Sequence, residues 1–150
     1  MAAEPLDPIL IQVTVALPQP MVFGAFAEPE KITGWLADVA RVEPKVGGVY
    51  ELEFSAAPAF RSLGEVTHYS PPTDIGFTWQ PPALYADGVG TAPSTVYIRL
   101  QESPEGIDVT LEHSGWPATS PGEEARSWHF HFWDERLSRF KEYLIRAAYG

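Results

Sequence analysis

The chain has no cysteine, which excludes disulfides, thiol nucleophiles and cysteine-based zinc sites and fits a cytoplasmic setting. Positive charge is also scarce: ten Lys and Arg stand against twenty Asp and Glu, a formal net charge of −10. Such a balance repels phosphate backbones and anionic headgroups, so nucleic acid is not an expected partner and the acidity serves solubility first. There is no run of about 18 apolar residues, and no basic stretch followed by an apolar core at the N-terminus. Neither membrane insertion nor a signal peptide is expected. Catalytic signatures are missing as well: no G-x-S-x-G, no H-E-x-x-H and no glycine-rich phosphate loop occurs, and Gly88-Val89-Gly90 lies in a proline-rich stretch with no helix after it. No cofactor is implied.

What the sequence does have is one long amphipathic segment, Ser120 to Ala148. Ser120, Pro121 and Glu123 supply a cap, a first-turn proline and the second half of a capping box. At 100° per residue, Phe130, Leu137, Phe140, Leu144 and Ala148 fall within about 60° of Trp133, while Glu135, Ser138, Arg139, Glu142 and Arg146 lie opposite. The pattern predicts a helix of about 27 residues, on the order of 40 Å long, enough to cross a sheet.

The rest is mostly period two. Residues 1–7 form a loose lead-in, and Ile9 to Val15 is a β-branched strand ended by Pro18 and Pro20. Two short helices follow, Met21 to Phe26 and a second reaching Trp35-Leu36 after Pro29. Strands are then predicted at 39–42, 50–55, 62–69 with Gly64 at a bulge, 75–80, 94–101 and 107–113, and residues 81–93 should be a loop. The expectation is a single α+β domain over 1–150, with six or seven curved antiparallel strands, one face wet and the other buried by the long helix.

Several local motifs occur in order along the chain: Phe26 to Trp35 with its internal Pro29-Glu30, Val42-Glu43-Pro44 before Gly47-Gly48-Val49-Tyr50, Gly64-Glu65-Val66, Pro71-Pro72 before Phe77-Thr78-Trp79, Ser94-Thr95-Val96, and Leu111 to Gly115. Together they resemble the START-like (SRPBCC, Bet v 1-like) helix-grip superfamily, and within it the bacterial branch named for homology to the activator of Hsp90 ATPase. Phe132-Trp133 stands where that branch typically has Gly-Trp, preceded by an unusual aromatic run. The resemblance implies a deep apolar cavity between sheet and long helix, used by relatives for lipids, sterols and polyketides, in some cases for cyclisation or hydrolysis. One branch stimulates a chaperone ATPase. Fold alone does not choose among these.

The site expected from this reading is a cavity binding a small hydrophobic or aromatic molecule, walled by Phe26, Trp35, Tyr50, Phe54, Phe77, Trp79, Phe130 and Trp133. The same rings serve equally as core. Arg126 and His129 fall about 20° and 40° from the stripe centre. Arg126 either reaches solvent, pairs with Glu123 or Glu124, or clasps a ligand's polar head. His113, on an inward register, either holds the Ser114-Gly115 turn or projects into the cavity; with His129 and Arg126 it forms the polar set a hydrolase or cyclase would need. His129 and His131 point about 160° apart on a helix, so no metal site is expected. Trp128 and Phe132 lie about 140° and 100° off the stripe. They require cover from a loop (81–93 or 115–120) or a partner, a homodimer being one candidate.

Overall fold

The computed structural model describes residues 4–89 and 93–150. The first residues of the predicted lead-in and positions 90–92 of the predicted loop, Gly90 among them, lie outside these. The elements run β1 (Ile9–Val15), α1 (Gln19–Ala27), α2 (Pro29–Ile32), β2 (Val39–Val42), β3 (Val49–Phe54), β4 (Phe60–Ser70), β5 (Asp74–Trp79), a 3-10 turn (Ala83–Gly88), β6 (Ser94–Ser103), β7 (Gly106–Ser114) and α3 (Ser120–Tyr149). One seven-stranded antiparallel sheet has the order β1-β7-β6-β5-β4-β3-β2. Each strand from β2 to β7 therefore pairs with its neighbour in sequence, and β1 closes onto β7 with Ile9 opposite His113.

Alternation dictates which side chains face α3. Tyr50, Leu52 and Phe54 of β3, Val96, Ile98 and Leu100 of β6, and Ile107, Val109, Leu111 and His113 of β7 are all buried. The intervening residues, Glu51, Glu53 and Glu112 included, are more accessible. Helix α3 returns Ala125, His129, Trp133, Leu137, Phe140 and Leu144 to the same core. Burying each of the larger apolar side chains contributes about 1.5–3 kcal/mol.

Several local expectations are corrected. Thr119, not Ser120, caps α3: it has the extended backbone of a cap, and its Oγ1 accepts from the Gly122 N–H. Phe130 is 39% exposed, and Ala148 is exposed too. The buried stripe steps by four from Ala125 to Leu137 and leaves Phe130 at its edge, beside Leu6 of the lead-in. Gly64 is no bulge. It pairs with Tyr50, and a Cβ there would stand 2.1 Å from the Thr78 carbonyl oxygen, so only glycine allows the approach of β4 to β5. The register shift lies instead between Val66 and His68. The lead-in is tied down where it is described: the Leu6 N–H donates to the Trp116 carbonyl. The predicted 81–93 loop contains the 3-10 turn, which packs on the first turns of α3. Gly88 makes that contact possible, since a Cβ there would lie 2.3 Å from the Ala125 Cβ.

Candidate functional site

Beneath the N-terminal half of α3 the interior is closed. Trp79, Trp116, Trp133, His113 and His129 are all fully buried and packed ring against ring. Their hydrogen bonds fix both imidazole tautomers. An indole N–H can only donate, so His113 Nδ1 accepts from Trp133 Nε1 at 2.9 Å, and its Nε2–H donates to Ser94 Oγ at 3.0 Å. Ser94 Oγ in turn donates to the Trp79 carbonyl. On the other side, His129 Nε2 accepts from Trp79 Nε1 at 3.1 Å, and its Nδ1–H donates to the Ala125 carbonyl at 2.6 Å. Trp116 Nε1–H completes the set on the His113 carbonyl. Among the described residues no buried side-chain nitrogen or oxygen is left without a partner.

This network decides what the histidines can do. Burial and the neighbouring His129 hold His113 well below the usual imidazole range. Burial lowers His129 to about 4, against a smaller opposing effect from its bond to the Ala125 carbonyl. Both are neutral at pH 7, and both have their lone pair engaged by an indole. The Ser94–His113 contact superficially resembles a nucleophile with its base. The imidazole donates in that bond, however, so it has no lone pair free to take the serine proton. Arg126 does not join the group. It donates from Nε to the Asp7 carbonyl at 2.6 Å and from Nη2 to the Pro8 carbonyl, pinning the lead-in across α3. The convergence of His113 with His129, ring centroids 5.3 Å apart, is thus structural packing without the third member.

Empty space lies to the side. A cleft of about 620 Å³ opens between the α2 C-terminal turn (33–38), the β3–β4 turn and α3 from Trp128 to Arg139. Buried Trp35 and Phe54 and half-buried Phe60, Trp128 and Phe132 line it. These rings form a continuous set: Phe54 stacks on Phe60 at 4.4 Å, Phe132 stands edge-on to Phe54 at 5.6 Å, and Trp128 stacks on Phe132 at 5.2 Å. A second cleft, about 700 Å³, lies on the other side of Phe60, between the start of β4, the end of β5 and the 3-10 turn. Among the described residues Phe60 is the one lining both. Trp128 and Phe132 are covered within the chain, Trp128 by Tyr85 of the 3-10 turn and by Phe60, Phe132 by Phe54 and Phe60.

One charged side chain is set into the aromatic wall. Arg136 places its guanidinium carbon 4.7 Å from the Phe132 ring centroid and 6.0 Å from that of Phe54. Its Nε donates to the Leu36 carbonyl at 2.9 Å, and Nη1 pairs with Glu135. Desolvation lowers its pKa and Glu135 opposes that effect; a guanidinium stays charged regardless.

Of the residues expected at a cavity, Trp35 and Phe54 line the first cleft and Trp79 the second. Phe26, Tyr50 and Phe77 are core. Phe26 packs on Trp35 and Phe140, and Tyr50 stacks on Phe77 at 3.7 Å with its hydroxyl donating to the Phe26 carbonyl. His113, His129 and Trp133 belong to the closed network. Arg126 and Phe130 face the lead-in. Phe60, Arg136 and Trp116 were not singled out by sequence patterning. Phe60 follows an alanine- and proline-rich turn, Trp116 sits between Gly115 and Pro117, and Arg136 lies at the rim of the apolar stripe where a charged residue is ordinary.

No group of three or more His, Asp or Glu positioned to hold a metal occurs among the described residues. No helix among them is long and apolar enough to cross a membrane.

The fold recurs in solved structures. Protein MLL2253 of Mesorhizobium loti superposes with a TM-score of 0.78 at 21% identity, covering 93% of this chain and 97% of its own. Protein SSP2350 of Staphylococcus saprophyticus gives 0.70 at 24%, covering 93% and 92%. An AHSA1-like protein of Aeromonas hydrophila gives 0.70 at 20%, covering 94% of each chain. At these identities the likeness is one of fold. Among curated proteins none matches. The sequence model of the family described as activator of Hsp90 ATPase homolog 1-like protein matches residues 16–145, nearly the whole chain, and the chain belongs to that family.

Proposed function

We propose that the protein binds a small apolar molecule with an aromatic or otherwise flat body, and that it does so in the open cleft beside α3 rather than beneath it. The observation that carries this reading is the ring-lined cleft of about 620 Å³ next to an interior with no unpaired polar atom. That volume falls within the ordinary range for small-molecule sites. Buried Trp35 and Phe54 supply a preformed apolar floor, and Phe60, Trp128 and Phe132 supply ring faces that lose water on binding. The family's helix-grip architecture is compatible with such a role. Because Trp128 and Phe132 already have cover from Tyr85, Phe54 and Phe60, ligand binding explains their position better than a homodimer seam does.

Titration with a panel of fatty acids, sterols and aromatic polyketides, read by tryptophan fluorescence, tests the reading. The expected result is a saturable change for flat aromatic compounds that is lost in Trp128→Leu. A saturable change that persists undiminished in that variant, or none for any compound, counts against it.

A further inference from the structure

The chemistry of the cleft selects further among flat apolar molecules. Resting on the cleft reading, we propose that the preferred ligand carries a carboxylate, received by the Arg136 guanidinium, with the ligand's apolar body against the half-buried rings that line the cleft.

Arg136 is presented for this. Its Nε is fixed on the Leu36 carbonyl at the end of α2, and its Nη1 on Glu135. Nη2 makes no hydrogen bond among the described residues, although the side chain is only 15% exposed. The planar cation lies against Phe132 and Phe54, so packing restricts its orientation before any ligand arrives. A guanidinium with Nη2 open beside apolar rings favours an anion, because a charge-assisted hydrogen bond at that nitrogen is stronger than a neutral one.

The neighbouring charges leave room for an incoming anion. Glu135 is shared between Arg136 and Arg139, the latter at 2.6 Å, so two guanidiniums meet one carboxylate. Asp38, the other acid at the cleft, accepts the Ser55 N–H at 2.7 Å. His131 also lines the cleft and is exposed. In a chain of net charge −10, this opening is formally balanced, Arg136 and Arg139 against Asp38 and Glu135.

The test compares 2-naphthoate with 2-naphthalenemethanol, equal in ring system and differing in charge, by tryptophan fluorescence and calorimetry on the wild-type chain and on Arg136→Met, Arg136→Lys and Arg139→Met. The expectation is that wild type prefers naphthoate by on the order of tenfold. Arg136→Met should remove the preference while still binding the alcohol. Arg136→Lys should recover only part of it, since a flexible ammonium lacks the guanidinium's fixed plane. Arg139→Met leaves Glu135 wholly to Arg136 and should lower the preference, though by less than Arg136→Met does. Should Arg136→Met fail to fold by circular dichroism, the lysine variant and the decline of the preference with added salt decide. Equal binding of both compounds by wild type, or an unchanged preference in the lysine variant together with no salt dependence, overturns the carboxylate assignment and leaves the cleft reading standing. Binding of neither compound overturns both.

Discussion

Two clusters of rings meet along α3, Trp79 and Phe132 touching at 5.8 Å between centroids, and they differ in what their polar atoms do. In the interior cluster each indole N–H is engaged: Trp79 and Trp133 donate to imidazoles and Trp116 to a carbonyl. The rings there interlock, with Trp79 also at the wall of the second cleft. In the lateral cluster the rings of Phe54, Phe60, Trp128 and Phe132 stack in sequence but leave open space on one side, with a guanidinium against the wall. The same residue types therefore build a solid core in one place and a receptive wall in the other. The distinction rests on how far neighbouring elements close over them: the 3-10 turn seals the first through Gly88 against Ala125, while its Tyr85 stacks on Trp128 at one end of the second.

The sharpest way to break this comparison is to truncate adjacent rings. Trp133→Ala removes a fully buried indole and leaves His113 Nδ1 without its donor, and should cost about 3–5 kcal/mol in urea denaturation. Phe132→Ala, one residue earlier and half-buried, should cost about 1–2 kcal/mol and instead weaken aromatic ligands. Equal costs would mean that the two clusters are one core.

Acidity separates the clusters next. His113 and His129 are held neutral in the folded protein and titrate near 6.5 when unfolded. The unfolded chain therefore binds more protons once pH falls below about 6.5, and stability present above that value declines as pH drops. For His129 the decline levels off near its folded value of about 4, a loss of roughly 3 kcal/mol over that window, with His113 adding to it. Urea titrations at pH 7.5, 6 and 5 should show falling midpoints, and His129→Leu should flatten the slope. A midpoint independent of pH would show that the imidazoles are not sealed.

A stability effect as small as that of Phe132→Ala is expected at the partition between the clefts. Phe60→Ala should cost only about 1–2 kcal/mol, since Phe60 is half-buried, yet it should join the clefts and admit longer fused-ring compounds. An unchanged length preference would mean that only one cleft takes ligand.

How much of this was legible in the sequence differs between fold and site. Period-two runs in β3, β6 and β7 and the α3 stripe are local signals, set by residues that repeat on one face, and the structure follows them except at Phe130 and Ala148 of the stripe. The site is a matter of closure between distant elements. His113 and His129 are marked as inward by their register, but only the arrival of Trp79 and Trp133 shows that their lone pairs are occupied. Arg126 lies at the stripe and still turns to backbone carbonyls of the lead-in. Arg136 has no sequence mark, because its meaning comes from Phe132 beside it and from the Leu36 carbonyl, a hundred residues away in the chain.

The five tryptophans, with Trp35 and Trp128 at the cleft and Trp116 and Trp133 in the interior, allow the central claim to be tested in one spectrum. In a ¹⁵N-labelled sample titrated with 2-naphthoate, the indole signals of Trp35 and Trp128 should move and saturate together, while those of Trp116 and Trp133 stay in place. Movement of Trp116 and Trp133 with Trp35 and Trp128 unmoved would place the ligand beneath the long helix and contradict the account.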